Sequence, residues 1–232
     1  MDVILHGKPG CGKGTQADNI CKQLNIVAIS TGDLIRAEIT GNTALGQQIK
    51  AYSQAGKLVP DELVMEILGQ RLEQEDVSSG VLFDGFPRTS NQAKMLENWL
   101  VSRGRKVNGV FTLDITDEES MFRCTYRLSC SDKVHCKKDT HIYYHRPTVL
   151  ARSTTDETPI FGCRACGKEL KMRDDALPSK VQTRIDTYHE ETAPLVDVLE
   201  QEYGYSVFRI NGMPSIAEIE KEINDAIAAH LK

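Results

Sequence analysis

Five short apolar runs punctuate the chain: Val3–Gly7, Val27–Ser30, Val81–Asp84, Val110–Asp114 and Tyr205–Ile210. Most are rich in β-branched residues, and they do not alternate apolar with polar positions. That is the pattern of strands covered on both faces of a parallel sheet. Between the runs the apolar spacing becomes helical. Ile20, Cys21 and Leu24 fall on one face after the first run, residues 31–59 hold two short helical patterns, and a further helix starts near Pro60. Another begins near Ser179 and is expected to break or kink at Thr192-Ala193-Pro194, because proline lacks a backbone donor and crowds the preceding turn. The last starts at Ser215, with Glu218 completing a capping-box pattern after Pro214, and Ile216, Ile219, Ile223 and Ile227 are its predicted buried stripe. Strands alternating with helices predict an α/β fold, a doubly wound five-stranded parallel sheet with right-handed crossovers. Residues 128–172 escape this alternation, being dense in Cys, His, Lys, Thr and Tyr with little helical period. The chain is therefore read as a core of residues 1–29, 60–127 and 173–232 carrying two inserted lobes, 30–59 and 128–172. It shows no internal repeat or low-complexity tract.

At 232 residues the chain has room for one large domain or a core with small lobes. A net charge of −5 argues against broad binding to nucleic acid or a membrane surface. An anionic ligand would need locally concentrated arginines. The first residues pass straight into a core strand, without a basic segment and apolar stretch of the signal-peptide kind, and no run has the length of a membrane span. The expectation is a cytoplasmic chain. Seven cysteines, an odd number, do not suggest a secreted disulfide framework. Cys21 and Cys124 have helix-face spacing and are read as packing residues; Cys130, Cys136, Cys163 and Cys166 share one segment.

The stretch Gly7-Lys8-Pro9-Gly10-Cys11-Gly12-Lys13-Gly14-Thr15 lies between the first strand and the first helix. Strand, glycine loop and helix start are the parts of a P-loop. Its glycines let backbone N–H groups turn inward toward anionic oxygens, the helix N-terminus adds partial positive charge, and Lys13 adds a full one. It departs from the common form in having Gly14 directly after the lysine, with Thr15 one place on. Asp84, at the carboxyl end of the third strand, stands where a Walker-B-like acid would hold Mg²⁺ through its waters, although taken alone it reads first as a helix cap or turn acid. In Gly85-Phe86-Pro87-Arg88 the glycine permits close backbone approach, and Arg88 offers a planar fork for phosphate. Thr31 reads by default as a helix N-cap and Arg36 as a surface charge.

Together the glycine loop, Ser30-Thr31-Gly32-Asp33-Leu34-Ile35-Arg36, Asp84-Gly85-Phe86-Pro87-Arg88-Thr89 and Arg173-Asp174-Asp175, in that order over nearly the whole chain, resemble the adenylate kinase family. The resemblance implies reversible phosphoryl transfer from MgATP to AMP, giving two ADP. It also implies a parallel-sheet core of P-loop NTPase type, with residues 30–59 as an AMP-binding lobe and 128–172 as a lid. Gly10, Cys11, Gly12, Lys13, Gly14 and Thr15 would then hold the ATP phosphates. Thr31, Arg36, Lys57, Leu58, Val59, Gly85, Phe86, Pro87, Arg88 and Gln92 would form the AMP site, Gln92 having a carboxamide that can both donate to and accept from an adenine edge. Arg123 matches the family's core arginine and Arg127 the one contacting ATP. Arg173 and Arg184 match the pair reaching the phosphates from lid and hinge, and Pro214 lies in the loop near the ATP base. Lys13, Arg36, Arg88, Arg123, Arg173 and Arg184, with Asp84, are the implied catalytic set. Where the family often reads Gly-Arg-Arg, this chain has Tyr126-Arg127-Leu128 and lacks the second arginine.

Cys163-Arg164-Ala165-Cys166-Gly167 has the knuckle spacing of a structural zinc site. Cys130 lies three residues after Arg127, as in zinc-containing bacterial adenylate kinases, whose second cysteine would fall at Lys133. Cys136 is the natural substitute, with His135 beside it, so the expected Zn²⁺ ligands are Cys130, Cys136, Cys163 and Cys166; the alternative is a lid that keeps unligated thiols. His141, Tyr143, Tyr144 and His145 are read as lid packing and hydrogen-bonding groups. Other readings are a kinase for another monophosphate such as UMP or CMP, a zinc-ribbon nucleic-acid module and a non-catalytic nucleotide sensor. The long cysteine-bearing lid and Gln92 favour AMP over the first, the acidic balance argues against the second, and the number of acceptor-side arginines against the third. No insert resembles a large apolar interface, so a monomer is expected.

Overall fold

In the computed structural model, which describes residues 1–131, 139–141, 148–152, 159–173 and 175–231, the main sheet has five parallel strands. They are β1 (Asp2–Gly7), β2 (Val27–Ser30), β3 (Val81–Asp84), β4 (Val107–Asp114) and β10 (Val207–Asn211), in the order β10-β4-β1-β3-β2. Successive side chains leave a strand on opposite faces, so a run with no polar positions needs cover on both. Val3 and Leu5 pack into one core with helices α1 (Lys13–Leu24) and α9 (Ile216–His230). Ile4 packs into the other with α4 (Asp61–Leu72), α5 (Ser90–Val101), α8 (Ala193–Gln201) and Ile49 from α3 (Ala44–Ala55). The remaining α-helices among the described residues are α2 (Thr31–Thr40), α6 (Asp117–Thr125) and α7 (Pro178–Thr187).

Most local expectations hold, with instructive exceptions. β4 begins at Val107, not Val110, because Val107 pairs with Asp2 of β1 and the Asn108 side chain accepts the Asp2 N–H at 2.8 Å. β10 begins after Tyr205, whose hydroxyl is drawn to the Glu97 carboxylate, and runs on to Asn211 opposite Asp114. The capping box at Ser215 and Glu218 is formed, but Ile216 is 55% exposed while Ile219, Ile223 and Ile227 are buried. Ile216 opens the helix in a turn whose neighbours from Met213 to Glu218 are all exposed, before the helix reaches the sheet. The break near Pro194 takes the form of a single π turn, Tyr188–Thr192, joining α7 to α8.

Residues 127–172 contribute a second, antiparallel sheet. Its strands are β5 (Arg127–Cys130), β6 (Asp139–His141), β7 (Thr148–Arg152), β8 (Pro159–Gly162) and β9 (Glu169–Met172), in the order β6-β5-β9-β8-β7. Among the described residues its buried cluster is only Leu128, Cys130, Cys163 and Leu170, with Phe161 against it. So small an apolar cluster stabilises a lobe weakly on its own.

Candidate active site

The loop after β1 is shaped by glycines where no other residue fits. Gly7 has φ +141°, and a Cβ there would lie 2.6 Å from both Cys11 Sγ and the Leu113 carbonyl oxygen. Gly12, at φ +100°, caps α1 in the left-handed region. Below the loop Cys11 is buried, and the buried Ser120 hydroxyl donates to the Pro9 carbonyl at 2.7 Å. Lys13 folds back over the loop, its ammonium donating to the carbonyls of Gly7 at 2.7 Å and Lys8 at 3.0 Å. Gly14 and Thr15 are exposed on the outer side. α1 has no acidic residue in its first turn, so nothing intrinsic neutralises its N-terminal dipole.

β3 lies beside β1, and the Gly85 N–H donates to the Leu5 carbonyl at 3.2 Å, which lays the 85–88 turn against the glycine loop. Burial pushes the Asp84 carboxyl above its usual range, with Lys13 and Arg88 pulling the other way. Arg88 is half-buried; its Nε donates to the Gly85 carbonyl at 2.7 Å and its own N–H donates to Gln92 Oε1 at 2.8 Å. Burial, then Arg184, bring its guanidinium down to about 10, so it stays charged at neutral pH. Thr31 does not cap α2. Ser30 does, and the buried Thr31 hydroxyl instead donates to the Gly85 carbonyl at 3.0 Å. Gln92 is buried with its Nε2 donating to Asp61 at 2.7 Å. One N–H and one lone pair of its amide are left for a ligand. Lys57 and Leu58 line a cleft of about 350 Å³ with Thr183, Thr187 and Glu190. Val59 and Phe86 are buried in the core, so only their backbones are available to a ligand, and Pro87 follows Phe86 in a cis peptide.

Four of the arginines are held by acids. Arg36 pairs with Asp33 at 2.5 Å and Arg123 with Glu119 at 2.6 Å. Arg173 grips Asp175 with two bonds of 2.9 Å, and Arg184 reaches the same carboxylate at 3.1 Å. Burial pushes Asp175 up, but Arg184, Arg173 and Arg127 outweigh it and bring it down to about 2. Burial likewise pushes the Asp33 carboxyl up, but Arg36 and Arg173 outweigh it and hold it below its usual range. Arg36, Arg88, Arg127, Arg173 and Arg184 thus feel common neighbours, whereas Arg123 turns to the Gly212 carbonyl at 3.2 Å. Pro214 is exposed beyond it.

Sequence reasoning passed over three of these partners. The i,i+3 and i,i+4 spacings of Asp33–Arg36 and Glu119–Arg123 were available signals, whereas Asp175 as a shared counter-ion required the fold. His6 was passed over too. It is 1% exposed, neither ring nitrogen makes a well-formed hydrogen bond, and burial, then Lys13 and Arg88, push it down to about 3, leaving it neutral.

In the second sheet the sulfurs of Cys130, Cys163 and Cys166 lie within 4.8 Å of one another, with Cys130 and Cys166 3.4 Å apart. Three converging soft thiols fit a zinc ion. Cys136, His135 and Lys133 lie outside the described residues, as do Asp174, Tyr143, Tyr144, His145 and the side chain of His141.

A glycine loop and a strand-end acid on neighbouring parallel strands, facing several guanidinium groups, mark a phosphotransferase of the P-loop class. The family model for adenylate kinase matches residues 5–203. An adenylate kinase of Moorella thermoacetica is 40% identical over 201 residues, 87% of each chain. One of Caldicellulosiruptor bescii is 37% identical across 100% of this chain and 98% of its own, and one of Methanothrix thermoacetophila 35% identical across 98% and 99%. The chain belongs to the adenylate kinase family. Among the described residues no helix is long and apolar enough to cross a membrane.

Proposed function

We propose that the chain transfers a phosphoryl group reversibly from ATP to AMP, giving two ADP, in a core of residues 1–29, 60–127 and 173–232 served by an AMP-binding lobe, 30–59, and a lid, 128–172. The observation that carries this reading is the bond from Gly85 N–H to the Leu5 carbonyl, which sets the Arg88 turn directly beside the phosphate loop. Two anionic nucleotides can meet there. ATP phosphates lie along Gly10–Thr15 with Lys13 and Arg127, and the base reaches toward Pro214. AMP lies among Thr31, Arg36, the backbone of Lys57–Val59, Gly85–Arg88 and Gln92.

Phosphoryl transfer asks for little covalent help, so positioning and charge neutralisation set the rate. The AMP phosphate is already ionised and needs no general base. Asp33, Glu119 and Asp175 hold the arginines until phosphates, which carry more charge, draw Arg36, Arg123, Arg173 and Arg184 away from them. Asp84, beside Lys13, is the acid that would hold the waters of a Mg²⁺ ion bound with ATP, which would supply charge neutralisation at the phosphates. Closure of the lid excludes water that would otherwise accept the phosphoryl group. Coupled measurement of ADP formation from MgATP with AMP, CMP, UMP or GMP tests the reading: AMP is expected to be the favoured acceptor, and no turnover with AMP in folded protein refutes it. The same reading has the enzyme acting as a cytoplasmic monomer with no nucleic-acid or membrane partner.

We further propose that Cys130, Cys163 and Cys166, with Cys136 as the fourth ligand, hold a structural Zn²⁺ that pins the lid, whose apolar cluster among the described residues is small. Elemental analysis of gently purified protein is expected to find about one zinc per chain, and Cys163→Ser is expected to lose it and to lower the melting temperature. Metal-free wild-type protein would remove the proposal.

A further inference from the structure

His6 is out of character for its strand. Val3, Ile4 and Leu5 before it are wholly buried and apolar, and an apolar side chain at position 6 would avoid burying two ring nitrogens without well-formed partners. Its place on the strand is informative. The preceding residue, Leu5, receives the Gly85 N–H on its carbonyl; the following residue, Gly7, receives the Lys13 ammonium. His6 therefore stands on β1 between the phosphate loop and the Arg88 turn. Its ring lies against the Pro87 backbone, a contact that favours a donating N–H. The ring is neutral, so it adds a donor there without adding to the positive charge of Lys13 and Arg88.

We propose that His6 is a positioning residue for phosphoryl transfer: its ring N–H donates to the Pro87 carbonyl as the nucleotides close the site, clamping the 85–88 turn onto β1 and fixing where Arg88 points. Hydrogen bonds of this kind are often long without substrate and tighten in the reacting complex. The inference rests on the ATP–AMP reaction proposed above, and wild-type turnover tests that reaction separately. His6→Leu keeps an apolar core side chain and removes the donor; His6→Gln restores a donor.

In His6→Leu, kcat is expected to fall about tenfold, the scale of a modest misplacement of a catalytic group. KM for ATP and AMP should stay within about twofold, and the melting temperature should not fall. His6→Gln is expected to recover most of the lost kcat. A His6→Leu enzyme with kcat within about twofold of wild type would overturn the role, and so would a Gln variant as slow as the Leu variant. Should the Leu variant not fold, ring ¹⁵N resonances of His6 in the wild-type enzyme decide. One ring nitrogen is expected to shift on saturation with an unreactive nucleotide pair, and unmoved resonances overturn the proposal.

Discussion

Lys13→Ala is expected to lower kcat by at least about a hundredfold, the scale seen when one preorganised electrostatic group is lost. That corresponds to about 2.7 kcal/mol of transition-state stabilisation. The effect should be kinetic rather than structural. Lys13 caps the Gly7 and Lys8 carbonyls, but the loop keeps independent supports: Ser120 to the Pro9 carbonyl, Cys11 N–H to the Lys8 carbonyl, and the N–H groups of Thr15 and Gln16 to Gly12. The variant should therefore fold, with far-ultraviolet circular dichroism like that of wild type, while ADP formation collapses. Folded protein turning over at near-normal rate would show that Lys13 does not neutralise the transferring phosphates.

Arg88→Ala should cost as much, on the acceptor side. Its Nε bond to the Gly85 carbonyl orients both the guanidinium and the turn that bears it, and its charge acts on Asp84 together with that of Lys13. Loss of a preorganised cation there is expected to lower kcat/KM for AMP by about a hundredfold to a thousandfold, while KM for ATP changes by less than about threefold. Steady-state kinetics with each nucleotide varied in turn separate the two sides. Because the Arg88 pKa of about 10 lies well above neutral, the wild-type rate should not titrate through this group between pH 6 and 8. A kcat/KM for AMP within about threefold of wild type would remove Arg88 from the acceptor site.

The two loops carrying these residues were legible from sequence because each depends on local chemistry. A glycine loop between an apolar run and a helix can do little else, and the Asp84–Arg88 segment ends an apolar run with the composition of a buried strand. The default reading of Thr31 as a cap failed because Ser30, one residue earlier, reaches the Asp33 N–H, freeing Thr31 to bond the Gly85 carbonyl across the sheet. The Ile216 expectation failed for a related reason. Helical period assigns a face, but only packing says where along that face burial begins. The thiols of Cys163 and Cys166 were joined in expectation by knuckle spacing and that of Cys130 by the family resemblance, and β5 and β9 of the antiparallel sheet bring their segments together.

Strand and helix types, the phosphate loop, the capping box and the identity of the charged groups were set by the order of residues, since each depends on neighbours within one or two turns of chain. The strand order β10-β4-β1-β3-β2 was not, nor was the sharing of Asp175 between Arg173 and Arg184 or the seating of His6 between the two loops. Those arrangements join segments tens to hundreds of residues apart. Local propensity is indifferent among such pairings; burial on both faces of one sheet, and the cost of leaving a charge in that interior without a partner, select between them.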